Sequence, residues 1–292
     1  MKLGLQINNY NLAGGPERFG TTLAEIAQAA EAGGFDRLGV QDHVWESAYI
    51  GSAEGPVLEC YTTLGFLAAH TKRVKLLAMV SPISYRYPAM LAKSVTALDV
   101  LSSGRAWLGI GAGDYEAEAR GLGIPFPPLK ARFEMLEEAL QVCLGMWSGE
   151  HGSDASFSGA HYQLERLLNS PQSLTRPHPP ILIGGSGAKT LRLVARYADA
   201  CNLRPSPDVP QKLELLRREC EAAGRDYEAI EKTCPFGLDV GTDGSKASEL
   251  IGRLRWLAGM GIQTVIGAIP GGNPIPTLEI VGREVIPACA DF

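Results

Sequence analysis

The run Asp42-His43-Val44-Trp45 sets an imidazole between a carboxylate and an indole. Histidine changes charge near neutrality and can take or give a proton at ordinary pH. Trp45 offers a flat apolar face for stacking. A plainer reading has Asp42 and His43 bonding loop backbone only. A second group is Gly184-Gly185-Ser186-Gly187, directly ahead of a helical stretch at 188–199. Free N–H groups and the positive dipole end of a helix start suit a phosphate, and Ser186 adds a hydroxyl donor. The plainer reading there is a tight turn. A third group is Gly111-Ala112-Gly113-Asp114, where glycines thin a wall so that a flat ring can lie against backbone. Asp114 is then either a proton donor or a cap for the segment that follows. A fourth stretch, Ala78-Met79-Val80-Ser81-Pro82, runs on to Pro88 through Ser84-Tyr85-Arg86-Tyr87. Two prolines bracket an aromatic and basic loop of fixed shape, in which Arg86 meets an anion or a neighbouring carboxylate.

Two familiar motifs are approached but not met. Gly184 to Ala188 is one residue short of the GxSxG elbow of hydrolases, yet the last histidine in the chain is His178. No base follows Ser186, so the order Ser, acid, His is broken. Gly109 to Gly113 resembles a dinucleotide fingerprint. It stands mid-chain, however, without a strand ending in an acid about twenty residues on.

The elements that must hold these groups alternate along the whole chain. Short apolar runs at 2–8, 37–42, 74–81, 106–111, 180–184, 200–203, 234–240 and 264–269 read as eight strands buried on both faces. Between them lie amphipathic stretches. Leu23, Ile26, Ala27 and Ala30 make one stripe, and Phe133, Leu136, Leu140, Cys143 and Trp147 another. Strands alternating with helices imply parallel pairing through right-handed crossovers, and eight repeats in 292 residues fit a closed α/β (β/α)8 TIM barrel, one domain spanning 1–292. In such a barrel chemistry sits where strands end, which is where His43, Met79, Asp114 and Gly184 fall. By the same rule Asp99, Ser102, Ser103, Gly104 and Arg105, in the turn ahead of the fourth strand, serve stability. Segments 114–129 and 149–179 exceed what the scaffold needs. The second lies between the fourth helix and the fifth strand, either as a lid over the mouth or as a surface excursion.

Bulk properties narrow the function classes. The net charge of −5, with no basic run, gives no reason to expect nucleic acid. No run approaches the ~20 apolar residues of a membrane span, and MKLGLQIN is too soon interrupted to be a secretory signal, so the cytoplasm is the expected compartment. The six cysteines form no CxxC pair and the five histidines no zinc pattern, so buried thiols and no metal are expected.

Taken together, GLQIN, QDHVW, ECYTTLGFLAA, SPISYRYPAMLAK, TALDVLSSGRAWLGIGAGDYEAEARGLGIPFPPLKARFEMLEEAL and RPHPPILIGGSGAKTLRLVARYADACNL resemble the luciferase-like monooxygenase superfamily. The likeness runs in order through most of residues 2 to 204; the last third shares only the βα rhythm. It is greatest to the branch dependent on the deazaflavin coenzyme F420. The resemblance implies a bacterial luciferase-like barrel, usually a homodimer, that seats the tricyclic ring at the strand C-termini beside Trp45, Ser81, Gly111, Ala112 and Gly113. It implies His43 beside the reactive ring, Asp114 as proton donor, and Gly184, Gly185, Ser186 and Gly187 on the cofactor phosphate. It also implies a non-proline cis peptide against the ring, here Ala78–Met79. An asparagine that meets the ring in some relatives is Ala117 here. No counterpart exists for the lysine and arginine set that grips a sugar phosphate, so glucose 6-phosphate is not the expected substrate. The expectation is hydride transfer between a small organic substrate and coenzyme F420. A monooxygenase using reduced FMN, a non-catalytic flavin-binding protein and an unrelated phosphate-binding barrel isomerase are the alternatives.

Overall fold

A computed structural model describes residues 1–47 and 50–292. Eight parallel strands form the barrel: β1 (Lys2–Ile7), β2 (Arg37–Val40), β3 (Lys75–Ala78), β4 (Ala106–Gly111), β5 (Ile181–Gly184), β6 (Ala200–Asn202), β7 (Glu231–Gly237) and β8 (Thr264–Ala268). Each pairs with its sequence neighbour, β8 returns to β1, and β4 meets β5 with Ile110 opposite Ile183, so the sheet closes. The barrel interior is a small apolar layer of Leu77, Leu182, Ala200 and Ile266, all without solvent exposure.

Helices α1 (Phe19–Ala32), α2 (Cys60–His70), α3 (Pro88–Leu101), α4 (Glu116–Gly121), α5 (Leu129–Met146), α6 (Ala188–Tyr197), α7 (Val209–Ala223), α8 (Ala247–Gly259) and α9 (Ile275–Ile280) surround it. Their buried faces follow the apolar period: α1 buries Phe19, Leu23, Ile26, Ala27 and Ala30. Between this ring and the strands lies the main core, which also takes in all six cysteines as buried free thiols.

Three departures from the expected elements have physical causes. The seventh strand lies at 231–237, three residues earlier than its apolar pattern suggests. Its first residues are charged but satisfied at the barrel floor, where Arg37 donates to both oxygens of Glu231 at 2.8 and 2.9 Å. Leu238 and Val240 are buried, yet beyond the strand. The third strand stops at Ala78, and the chain rejoins the sheet at Ser81–Pro82, which pairs with β4 at Ile110 and Gly111. The bond between these pieces that is cis is Met79–Val80, one residue later than Ala78–Met79. The reason is in the ladder: the Met79 amide still donates to Val40 O at 2.7 Å, so the departure begins after it.

Segment 149–179 lies outside the barrel and does not cover its mouth. Two short antiparallel pairs, Gly152–Ser153 with Leu167–Leu168 and Phe157–Ser158 with Gln163–Leu164, lie in it. Glu138 on α5 accepts the amides of Ala160, His161 and Tyr162. Asp99 on α3 accepts those of Leu174 and Thr175, and Arg105 donates to four backbone carbonyls nearby. The turn ahead of β4 is structural, as its position at the N-terminal rim implies. Among the described residues no helix is long and apolar enough to cross a membrane.

Candidate active site

Where β1 to β7 end, one cavity of about 550 Å³ opens. This is the size of a cofactor or ligand pocket. Gln6, His43, Met79, Val80, Asp114, Phe133, Asn202 and Arg204 line it, together with the backbones of Gly111, Ala112, Gly113, Gly184, Gly185 and Ser186. Two wider hollows, about 880 and 610 Å³, open at the opposite rim. Their charged residues are largely matched to one another, as in Lys75 with Asp36 and Lys232 with Glu228. The mouth cavity holds the convergent groups instead.

Its glycine wall is a consequence of close packing. A β-carbon on Gly111 or on Gly184 would stand 3.0 Å from Val80 Cγ2, tighter than ordinary contact. Two neighbouring strands therefore present bare backbone around one valine, as a flat ring requires. Arg132, on the first turn of α5, holds the adjoining loop by donating to the carbonyls of Ala112 (3.1 Å) and Gly113. Gly185 adopts φ +122, a conformation side chains disfavour, and turns the chain from β5 into α6. Gly187 is the N-cap of α6, and a β-carbon there would meet nothing within 4 Å. The first amides of this ten-residue helix lack intrahelical acceptors by geometry. A phosphate bound by Gly185, Ser186 and Gly187 would satisfy them, so the wall and the turn fit a planar cofactor with an anionic tail.

His43 is held from the side away from the cavity. Its Nδ1 lies 2.7 Å from Glu118 Oε2, and Glu118, on α4, is fully buried. The same carboxylate accepts the amides of Val44 (2.6 Å) and Trp45 (2.8 Å) through Oε1 and the Tyr85 hydroxyl through Oε2. Burial alone would raise the Glu118 carboxyl, but the bonds from His43, Trp45, Tyr85 and Val44 outweigh it and hold the group below its usual range. Burial would likewise lower His43. The hydrogen bond and charge of Glu118, then the charges of Asp114 and Asp42, leave the imidazole above its ordinary 6.5. Tyr115 lies edge-on to the ring at 5.7 Å.

Four expected residues do not reach the cavity. Trp45 packs on α4, its ring occupying the space a Gly121 side chain would need. The cause is the pair of amide bonds to Glu118, which turn the loop outward after His43. Ala78 is fully buried beneath the mouth. Ser81 donates to Asp42 Oδ2 at 2.6 Å, within the sheet. Gly187 stands one residue past the lining. Arg86, outside the cavity lining, meets two carboxylates: Asp42 at 3.0 Å, and Glu59. Burial raises the Asp42 carboxyl, against the pull of Arg86 and Ser81.

Glu118 itself escaped the sequence reading. Its signal was weak but present: of the acids in Asp114-Tyr115-Glu116-Ala117-Glu118, it alone is followed directly by a core alanine, Ala119. Gln6, Asn202 and Arg204 also stand at or just past strand ends, where the barrel rule could have found them.

The family description Luciferase-like monooxygenase matches residues 8–275, most of the chain. The chain belongs to the luciferase-like monooxygenase family. Two relatives, each described as F420-dependent glucose-6-phosphate dehydrogenase, bring this family likeness closer. That of Nakamurella multipartita is 31% identical, covering 80% of this chain and 68% of the relative. That of Kineococcus radiotolerans is 30% identical, covering 85% and 71%. Among solved structures, an F420-dependent secondary alcohol dehydrogenase in complex with an F420–acetone adduct superposes with a TM-score of 0.80, at 19% identity over 99% of both chains. At that identity the superposition speaks for the luciferase-like fold alone.

Proposed function

We propose that this protein is a coenzyme F420-dependent oxidoreductase that moves a hydride between a small organic substrate and the deazaflavin ring. The observation that carries this reading is one cavity bounded by a histidine, a valine-backed glycine wall and a glycine-rich helix start. The names of the 30 and 31% identical relatives support the same cofactor. When bound, the deazaflavin would supply a carbon, C5, that gives or accepts hydride, which is chemistry no side chain provides.

The residues of the chain divide the remaining work. Gly111 to Gly113, Gly184 and Val80 would seat the ring. The turn Gly185-Ser186-Gly187 would hold the phosphate, with Thr190 behind it, 3.1 Å from the space a Gly185 β-carbon would take. His43 would take the proton that a substrate loses as hydride departs, or give it in reverse. Asp114, exposed at the cavity edge, would be an auxiliary proton donor. Arg204 is the sole permanently cationic side chain among the described lining residues, and it is exposed. That is thin support for a doubly charged phosphate, so a sugar phosphate is not the substrate we propose. Family likeness supports a homodimer, and the apolar profile is that expected of a cytoplasmic enzyme; sedimentation and fractionation test both.

A fluorescence titration with coenzyme F420 decides the central claim. Saturable binding at micromolar concentration is expected, and its absence there overturns the reading. Tighter binding of reduced FMN than of the deazaflavin would transfer the protein to the monooxygenase chemistry of the same fold.

A further inference from the structure

Glu118 has the geometry of a device rather than of a chance ion pair. Four donors converge on its two oxygens, from the loop after β2 (His43, Val44, Trp45) and the loop after β3 (Tyr85). The carboxylate is without solvent exposure, whereas His43 retains 23%. An ionised carboxylate can only accept, so the bond at 2.7 Å requires the proton of His43 to sit on Nδ1. The nitrogen left for the cavity is Nε2. The two loop amides stop Glu118 from turning, and through them the carboxylate also sets the backbone that carries His43.

We propose that Glu118 is the positioning residue of the site. It fixes His43 as the Nδ1-protonated tautomer and presents an unprotonated Nε2 to the substrate, with Tyr85 as its counterweight. Tyr85 competes for Oε2: each hydrogen bond it makes withdraws acceptor strength from the imidazole. The two side chains therefore act on His43 in opposite senses. Other charged groups facing the ring are Asp114 from the loop after β4 and Asp42 from its own loop, the latter ion-paired with Arg86. None of these reaches Nδ1. The part of the proposal that concerns turnover rests on His43 being the acid/base of the proposed reaction; the part that concerns the tautomer does not.

The test uses the whole protein with ¹⁵N-labelled histidine, without cofactor, with the His43 signals assigned by their loss in His43→Asn. Long-range proton–nitrogen spectra are expected to give the Nδ1–H tautomer in the unchanged protein. Glu118→Gln should lower the His43 titration and lose that tautomer preference. Tyr85→Phe should raise the titration. Coenzyme F420 affinity should be unchanged in both, while turnover falls roughly 100-fold in Glu118→Gln, the scale of a displaced general acid or base. A His43 that keeps its titration and tautomer in Glu118→Gln overturns the proposal. A shifted titration with unchanged turnover overturns the part that concerns turnover. If Glu118→Gln does not fold, Tyr85→Phe decides: an upward shift supports the proposal and no shift overturns it. Should the unchanged protein bind no deazaflavin, the cofactor reading falls while the spectra still decide the role of Glu118.

Discussion

Val80 fills the space that side chains on Gly111 and Gly184 would claim, with its Cγ2 3.0 Å from a β-carbon built on either. Gly184 has no left-handed backbone, so Gly184→Ala tests steric fit without conformational strain. The added methyl would drive Val80 toward the ring position. Overpacking of this kind costs about 1–3 kcal/mol. The expected result is a deazaflavin dissociation constant raised roughly tenfold, since about 1.4 kcal/mol is a factor of ten. An unchanged constant, in a variant that still folds, would show that the ring does not lie on this wall.

Removing the acid/base should separate chemistry from binding. His43→Ala takes away Nε2 but leaves the glycine wall and the phosphate turn intact. Turnover is expected to fall roughly 100-fold or more, with coenzyme affinity retained. Because the imidazole sits above its ordinary 6.5, the pH limb it governs should lie above that value. In the oxidising direction activity rises as pH passes through the limb, since Nε2 must be unprotonated. Steady-state rates across pH check both the size and the sign. Turnover equal to that of the unchanged protein would leave only a binding role for His43.

How much of this was legible follows from what each residue depends on. Strands buried on both faces advertise themselves as apolar runs, and strand ends follow from strands. Positions such as His43, Asp114 and Gly184 to Ser186 therefore emerged from pattern, Met79 came from the family resemblance, and the cavity gathers all of them. The placement of Trp45, read as a stacking face, and the role of Glu118 were not legible, because each depends on how a loop folds back. The bonds from the Val44 and Trp45 amides to Glu118 join residues more than seventy positions apart, and no local period records them. The floor of β7 misled for the converse reason. Glu231 looks like a loop residue until the closed barrel brings Arg37 to it, and Lys232 is satisfied by the nearby Tyr227 O.

The placement of Trp45 on α4 can be checked directly. Its ring lies on α4 at Gly121, away from the cavity. Trp45→Phe keeps the backbone amide that Glu118 accepts and removes only part of the indole. Coenzyme affinity is expected to stay the same, while the protein loses about 1–2 kcal/mol as α4 docks less tightly. Titration and urea unfolding of the same variant give both numbers. A large fall in affinity with unchanged stability would return Trp45 to the ring.

The Glu118–His43 pair also sets a pH window for stability. His43 is raised in the folded state, so its contribution is fully present below about 6.5 and is lost as pH rises through the higher folded value. Glu118 is lowered, so its contribution is present above about 4.5 and is lost as pH falls through the lower folded value. The pair therefore stabilises most between those two ordinary values. Unfolding in urea at pH 6.0 and pH 8.5, for the unchanged protein and His43→Ala, isolates the effect, because lost packing contributes equally at both pH values. The stability gap is expected to be larger at the lower pH. A gap that is the same at both, or that widens on the alkaline side, would mean that the imidazole is not raised above its ordinary value in the folded state.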